Sequence, residues 1–199
     1  QIQVCATDTD LLGTFSGEIA RVEAALETCR SKALLGLIQT GLKQGLASEG
    51  SFGPHPAVPL LATGQELLVY VDLERSIELV EQRLELRTNY SRRCIEHDGD
   101  DNVDAWLRQV GFPSHGVIAM PASWQPGEPL FKGLQTARDL EAAVAVCRDA
   151  DPQRRVVLET DMRAHHNPMR MASIARLGVA LVRRLRRSCS SCDLPGWGP

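Results

Sequence analysis

The sequence predicts an α/β fold, a mixed sheet flanked by helices, and three observations carry that prediction. Runs of β type such as "ELLVYVD" and "HGVIAMPA" alternate with segments of helical period such as "TARDLEAAVAVCRDA", the pattern of a sheet covered by helices. The 199 residues are 43% hydrophobic, enough for one sizeable core. No stretch approaches the roughly 20 apolar residues that span a bilayer. The net charge of −3 and pI near 6.0 give no whole-chain attraction to nucleic acid or to an anionic membrane.

Taken in order, Ile2 to Ala6 is apolar enough for a short strand, and "DTDLLGTFSGE" is a polar loop in which Ser16 can cap a helix. Ile19, Val22, Leu26, Cys29, Ala33 and Leu37 recur at helical spacing, with Gly41 as the stop. "GLASEGSFGPHPAVP" carries too much Gly, Pro and Ser for a regular element beyond its first residues. "ELLVYVD" is a strand, and "SIELVEQRLEL" its hairpin partner or a helix. "DDNVDAWLRQVGF" is a short helix ending at Gly111, followed by a strand in "HGVIAMPA", a loop or strand in "PLFKG", and the amphipathic helix already quoted. "RRVVLETD" is a strand. The clearest helix follows in "NPMRMASIARLGVALVRRLRR", with Pro168 in its first turn and arginines at its C-terminal end, where the helix dipole favours them. Residues 1–187 are expected as a single α/β domain, N-terminally truncated because "QIQVCATDTD" opens without Met or a signal pattern. Residues 188–199 are expected as the start of a zinc-knuckle-like tail.

"ETDMRAHHNPMRM" gathers the most ionisable chemistry. Glu159 and Asp161 are two apart, so on an extended strand end they share a face. Arg163 and Arg170 suit a phosphate or carboxylate, His165 and His166 suit proton transfer or a metal, and Asn167 stands at a helix start whose N–H groups favour an anion. In "ASEGSFGPHP", Ser48, Ser51 and His55 flank Glu49, a hard oxygen donor for Mg²⁺. Asp8, Asp10 and Glu18 of the first loop can share such a cation, with Arg30 and Lys32 following on the helix. Lys132 in "FKG" is a weaker candidate, and His115 in "FPSHG" is expected to be structural. Of the six cysteines, Cys5, Cys29, Cys94 and Cys147 are expected as reduced, partly buried thiols of a cytoplasmic protein. Cys189 and Cys192 have the C-x₂-C spacing of half a zinc knuckle, which needs two more ligands. The simplest completion is by residues beyond Pro199, so that zinc belongs to a longer chain.

These segments together resemble an uncharacterised bacterial family known only as a domain of unknown function. The resemblance runs along essentially the whole chain on "DTDLLGTFSGE", "ASEGSFGPHP", "FPSHG", "FKG", "ETDMRAHHNPMRM" and "CSSCDLPGWG". It implies no activity. A second resemblance, covering about eighty residues, is to the inosine-triphosphate pyrophosphatase-like enzymes, which hydrolyse non-standard nucleoside triphosphates with Mg²⁺. "GTFSGE", "ETCRSKA", "LASEGS" and "ELLVYVD" follow that family's order. The resemblance implies a metal-binding acid at Glu18, a phosphate contact at Lys32 and an acid near the attacking water at Glu49. "ETDMRAHHNPMRM" has no counterpart in it.

The function expected is metal-dependent hydrolysis of a phosphate-containing small molecule, a non-standard nucleotide among the candidates. Mg²⁺ is expected on Glu49 with Glu18, Asp10 and Glu159. Glu49, Asp161 and His165 are the expected catalytic groups. Lys32, Ser48, Ser51, His55, Lys132, Arg163, Asn167 and Arg170 are expected around the substrate, with the Glu49 and Asp161 segments facing one pocket. The alternative is a non-catalytic module that clamps an anionic ligand and meets a partner through its zinc-knuckle tail. Oligomeric state is left open.

Overall fold

Along "ELLVYVD" every second side chain points the same way, and in the protein both sets are buried. Leu67, Val69 and Val71 lie on one face of the strand, Leu68 on the other. Such a strand needs cover on both sides. The structure, a computed structural model, describes residues 3–5, 24–55, 58–96 and 102–198, without side-chain detail for 54–62. The chain divides into two compact units, residues 1–86 with 172–199, and residues 87–171. The sequence suggests one domain over 1–187. The tail after 187 is part of the first unit.

In the first unit, β1 (Gln44–His55), β2 (Val58–Asp72) and β3 (Ile77–Glu85) form an antiparallel meander in that order. Helix α1 (Ala25–Thr40) covers one face, its Cys29, Ala33 and Leu37 packing on Val69 and Val71. Gly41 ends α1 in the left-handed region, as the sequence predicts. The opposite face packs Leu68 and Leu79 against Leu177 and Leu181 of the helix Pro168–Leu185. The predicted strand Ile2–Ala6, the Ser16 cap, and Ile19 and Val22 fall wholly or mostly outside the described residues, and Gln3–Cys5 are not strand.

One expectation is overturned here. "GLASEGSFGPHP" is the 12-residue strand β1, not a loop. Its Gly and Ser residues are poor strand formers, but continuous pairing with β2 from Gln44↔Asp72 to Pro54↔Ala62 supplies what propensity lacks. Gly45 also allows close packing, since a Cβ there would lie 2.8 Å from Leu37 Cγ.

In the second unit, β4 (Arg92–Ile95), β5 (Val117–Pro121), β6 (Phe131–Leu134) and β7 (Val156–Thr160) form a second antiparallel sheet, ordered β4-β7-β5-β6. Helices α2 (Asn102–Val110) and α3 (Ala137–Ala150) cover one face around Trp106, Leu140, Cys147, Val117 and Leu158. The Thr136 hydroxyl caps α3 through Asp139 N. Each predicted element from "DDNVDAWLRQVGF" to "RRVVLETD" is present. The mixed sheet is corrected to two separate antiparallel sheets flanked by helices. Strand–helix alternation suggests parallel crossovers, but β4 and β5 are each antiparallel to β7. The helix α4 (Pro168–Leu185) follows a short 3₁₀ turn, Ala164–His166. No helix among the described residues is long and apolar enough to cross a membrane.

Candidate functional site

Each unit holds a buried carboxylate engaged by a cation. In the first, Glu49 lies on the α1 side of the sheet, because its register partner is Leu67. Its side chain is 1% exposed, and Oε2 accepts a 2.6 Å bond from Lys32 Nζ on α1, 20% exposed. Oε1 accepts the Gly50 N–H at 3.2 Å. The apolar cluster of Cys29, Ala33, Leu37, Val69 and Val71 lies on the same face. Cys29 donates to the Ala47 carbonyl at 3.2 Å, and burial, then the Glu49 charge, push its thiol up to about 12. The pleat separates residues that a loop was expected to gather. Ser51 shares the Glu49 face, whereas Ser48 shares the opposite face with Leu68. His55 closes β1, and its side chain lies outside the description, as do Asp8, Asp10 and Glu18. Arg30 is committed at the surface to Glu27 and Glu78.

In the second unit, Asp161 follows β7 and is fully buried. Arg163 wraps back onto it through its own N–H at 3.0 Å, through Nε at 3.0 and 3.1 Å, and through Nη2 at 2.6 Å. Gly133 N–H adds a fourth donor group from β6 at 2.9 Å. Burial alone would raise the Asp161 carboxyl, but the Arg163 bonds and charge outweigh it and hold it below its ordinary value. The Asp161 backbone N–H bonds the Gly116 carbonyl, and the Gly116 N–H bonds the His166 carbonyl, both at 2.8 Å. The His166 ring lies over Gly133, where a Cβ would come within 2.8 Å of Cε1 and Nε2. Gly133 has φ +70°, so it meets two demands that only glycine satisfies together. His166 Nδ1 lies 3.3 Å from Gln135 Oε1, and His165 packs on it with ring centroids 4.2 Å apart. Burial chiefly, helped by Arg163 and His165 and opposed by Asp161, lowers the His166 pKa. Lys132 stands beside Gly133 on β6, half-buried.

Asp161 is thus saturated by donors and anchors Arg163, whose side chain is 34% exposed and whose Nη1 has no partner among the described residues. Glu159, register partner of Arg92 and Ile118, lies half-buried. Burial raises its pKa, Arg92 opposes the rise and Asp161 adds to it. Asn167 and Arg170 do structural work. Asn167 Oδ1 accepts Arg170 N–H at 3.2 Å, capping α4, while Nδ2 donates to Asn89 Oδ1 at 3.0 Å. The buried Arg170 guanidinium donates to the Met162 carbonyl. His115 is half-buried, with Nδ1 3.4 Å from the Gly111 carbonyl and Nε2 buried without a hydrogen-bond partner among the described residues. Sequence reasoning missed Asn89, Gln135 and the backbone N–H of Gly133, for which no local pattern exists.

All six cysteines are free thiols. Cys29 and Cys147 are buried and Cys5 half-buried, while Cys94 is exposed rather than partly buried. Cys189 and Cys192 occupy a surface turn closed by the Ser188–Pro195 bridge. Among the described residues no three His, Cys, Asp or Glu side chains come together as a metal site.

The geometry defines a protein of two antiparallel-sheet α/β units, each with a carboxylate–cation pair sealed under a helix or a strand-end turn. The chain belongs to the family described as Domain of unknown function (DUF6671), which it matches over residues 32–198. No curated protein and no solved structure matches it.

Proposed function

We propose that the first unit is a metal-dependent hydrolase of a phosphate-containing small molecule, with a non-standard nucleotide as the narrower form of its substrate. The observation that carries this reading is the ion pair between the buried Glu49 and the half-buried Lys32 beside the apolar α1 cluster. Burying the Glu49 carboxylate there costs more than an apolar side chain would, so its presence has a chemical rather than a stabilising rationale. Lysine bonds as a single point charge on a flexible stem. It can leave the carboxylate for a phosphate oxygen, and the carboxylate it releases then orients a water. Mg²⁺ is held through one or two carboxylates plus substrate phosphates. Glu49 fits such a ligand, and Asp10 and Glu18 are the proposed companions. When bound, the ion would polarise the phosphoryl oxygen. The test is release of phosphate or pyrophosphate from a panel of nucleotides and phosphate esters with Mg²⁺ or Mn²⁺. Turnover abolished by chelator supports the reading, and no turnover on any member contradicts it.

A second reading rests on the open Nη1 of Arg163. There the anchored guanidinium, with Lys132 and His165 as neighbours in the chain fold, clamps an anionic ligand without turnover. Arg163→Ala should then weaken binding of an anionic ligand by about 1.5–3 kcal/mol, the scale of a charged hydrogen bond. Unchanged affinity by calorimetry, with the fold intact, rules the clamp out.

A further inference from the structure

Gln135 decides which nitrogen of His166 carries the proton. Its Nε2 donates to the Ser114 carbonyl at 3.4 Å, which turns Oε1 toward the His166 ring, 3.3 Å from Nδ1. An amide oxygen only accepts, so Nδ1 holds the imidazole proton and Nε2 keeps its lone pair. Burial lowers the His166 pKa, which keeps the ring neutral. Among the described residues Nε2 has no partner. The residue is pinned through its backbone, since its N–H bonds the Arg163 carbonyl at 3.0 Å and its carbonyl accepts the Gly116 N–H at 2.8 Å. The point that a Cβ on Gly133 would occupy lies 2.8 Å from His166 Nε2 and 3.2 Å from Arg163 Nη2. An acceptor nitrogen and a guanidinium therefore converge over a residue that has no side chain. Asp161 holds the guanidinium by its Nε and Nη2 edge, which leaves Nη1 to a ligand.

We propose that Arg163 and His166 together form a site for hydrogen phosphate, a tetrahedral oxyanion that still carries a proton. The inference rests on the reading of Arg163 as an anion clamp and names the ligand of that clamp. Arg163 Nη1 donates to an anionic oxygen, and His166 Nε2 accepts the remaining O–H of the phosphate. Sulfate and the dianion of a phosphate monoester share the shape and charge of hydrogen phosphate but have no proton to offer. Against them the Nε2 lone pair faces an oxygen lone pair, a repulsion that supplies selectivity. Gly133 serves the site twice. Its N–H holds Asp161 in place under Arg163, and its missing side chain leaves both nitrogens in reach of one ligand.

The test is calorimetric titration of the 199-residue chain at pH 8 with inorganic phosphate, sulfate and methyl phosphate. At that pH the ester has lost its last proton, whose pKa is about 6. All three anions then carry mainly two negative charges, and only inorganic phosphate keeps a proton. Phosphate is expected to bind about tenfold or more tightly than either of the others, the scale of one hydrogen bond to a charged partner. Arg163→Ala should lose phosphate binding, and His166→Phe should bring phosphate affinity down to that for sulfate. The ¹⁵N shifts of the wild-type His166 ring should place its proton on Nδ1. Equal affinity for phosphate and sulfate, or a proton on Nε2, would overturn the proposal and leave the clamp standing. Binding of none of the three anions would overturn both. The wild-type preference and the ring shifts decide the matter even if a variant were to misfold.

Discussion

Lys32–Glu49 and Arg163–Asp161 have the same charges and the same 2.6 Å closest contact, yet they are built for different work. Asp161 receives its cation from two residues along its own turn, as a fork that uses Nε and Nη2, and Gly133 locks the carboxylate from another strand. Glu49 meets a point charge from a separate helix, 17 residues away in sequence. A fork with several bonds is a fixture, whereas a single flexible ammonium is exchangeable. The contrast shows that burial and charge alone do not mark a reactive carboxylate. How its partner is attached decides whether it can change partners.

The contrast can be broken first through stability. Asp161→Asn leaves an amide facing a guanidinium and should cost roughly 3 kcal/mol of unfolding free energy, within the range for breaking a buried pair. Glu49→Gln should cost about 1 kcal/mol, because Lys32 reaches solvent. Equal costs in denaturant titrations would erase the distinction. Gly133→Ala comes next, at about 1–3 kcal/mol, from a left-handed backbone and a methyl driven into His166. Asn167→Ala removes the α4 cap and should cost about 1–2 kcal/mol, and a smaller loss would show that Arg170 alone holds that turn.

The gentlest test is pH. The folded His166 pKa lies below its ordinary 6.5, so its contribution is complete above that pH and is lost as pH falls through the folded value. Asp161 is likewise depressed below its ordinary 3.8. Its contribution is complete above 3.8 and is lost further into acid. Asp151, lowered to about 2 chiefly by the Arg155 N–H, behaves in the same way between those values. Unfolding midpoints should therefore fall in two acid stages, and His166→Gln should flatten the first only.

Much of this was legible in the sequence, for reasons that can be named. The second unit's elements follow hydrophobic period, and Gly111 marks a real helix end. The crowding at "ETDMRAHHNPMRM" also marks a real cluster, although only Asp161, Arg163 and the histidines face one another, while Asn167 and Arg170 hold the turn. What was not legible depends on pairing between distant segments. β1 is a strand because β2 lies beside it, and that pleat sends Ser48 away from Glu49. Gly133 meets Asp161 across 28 residues through a backbone N–H that every residue type except proline carries.

The central claim is that Glu49 is an exchangeable, reactive carboxylate. Its most direct test is Glu49→Gln, measured by calorimetry for nucleotide binding and by single-turnover kinetics with Mg²⁺. Binding within about twofold of wild type, with hydrolysis reduced by a factor on the order of 10² or more, is the predicted result. Hydrolysis at the wild-type rate in a folded Glu49→Gln protein would contradict it.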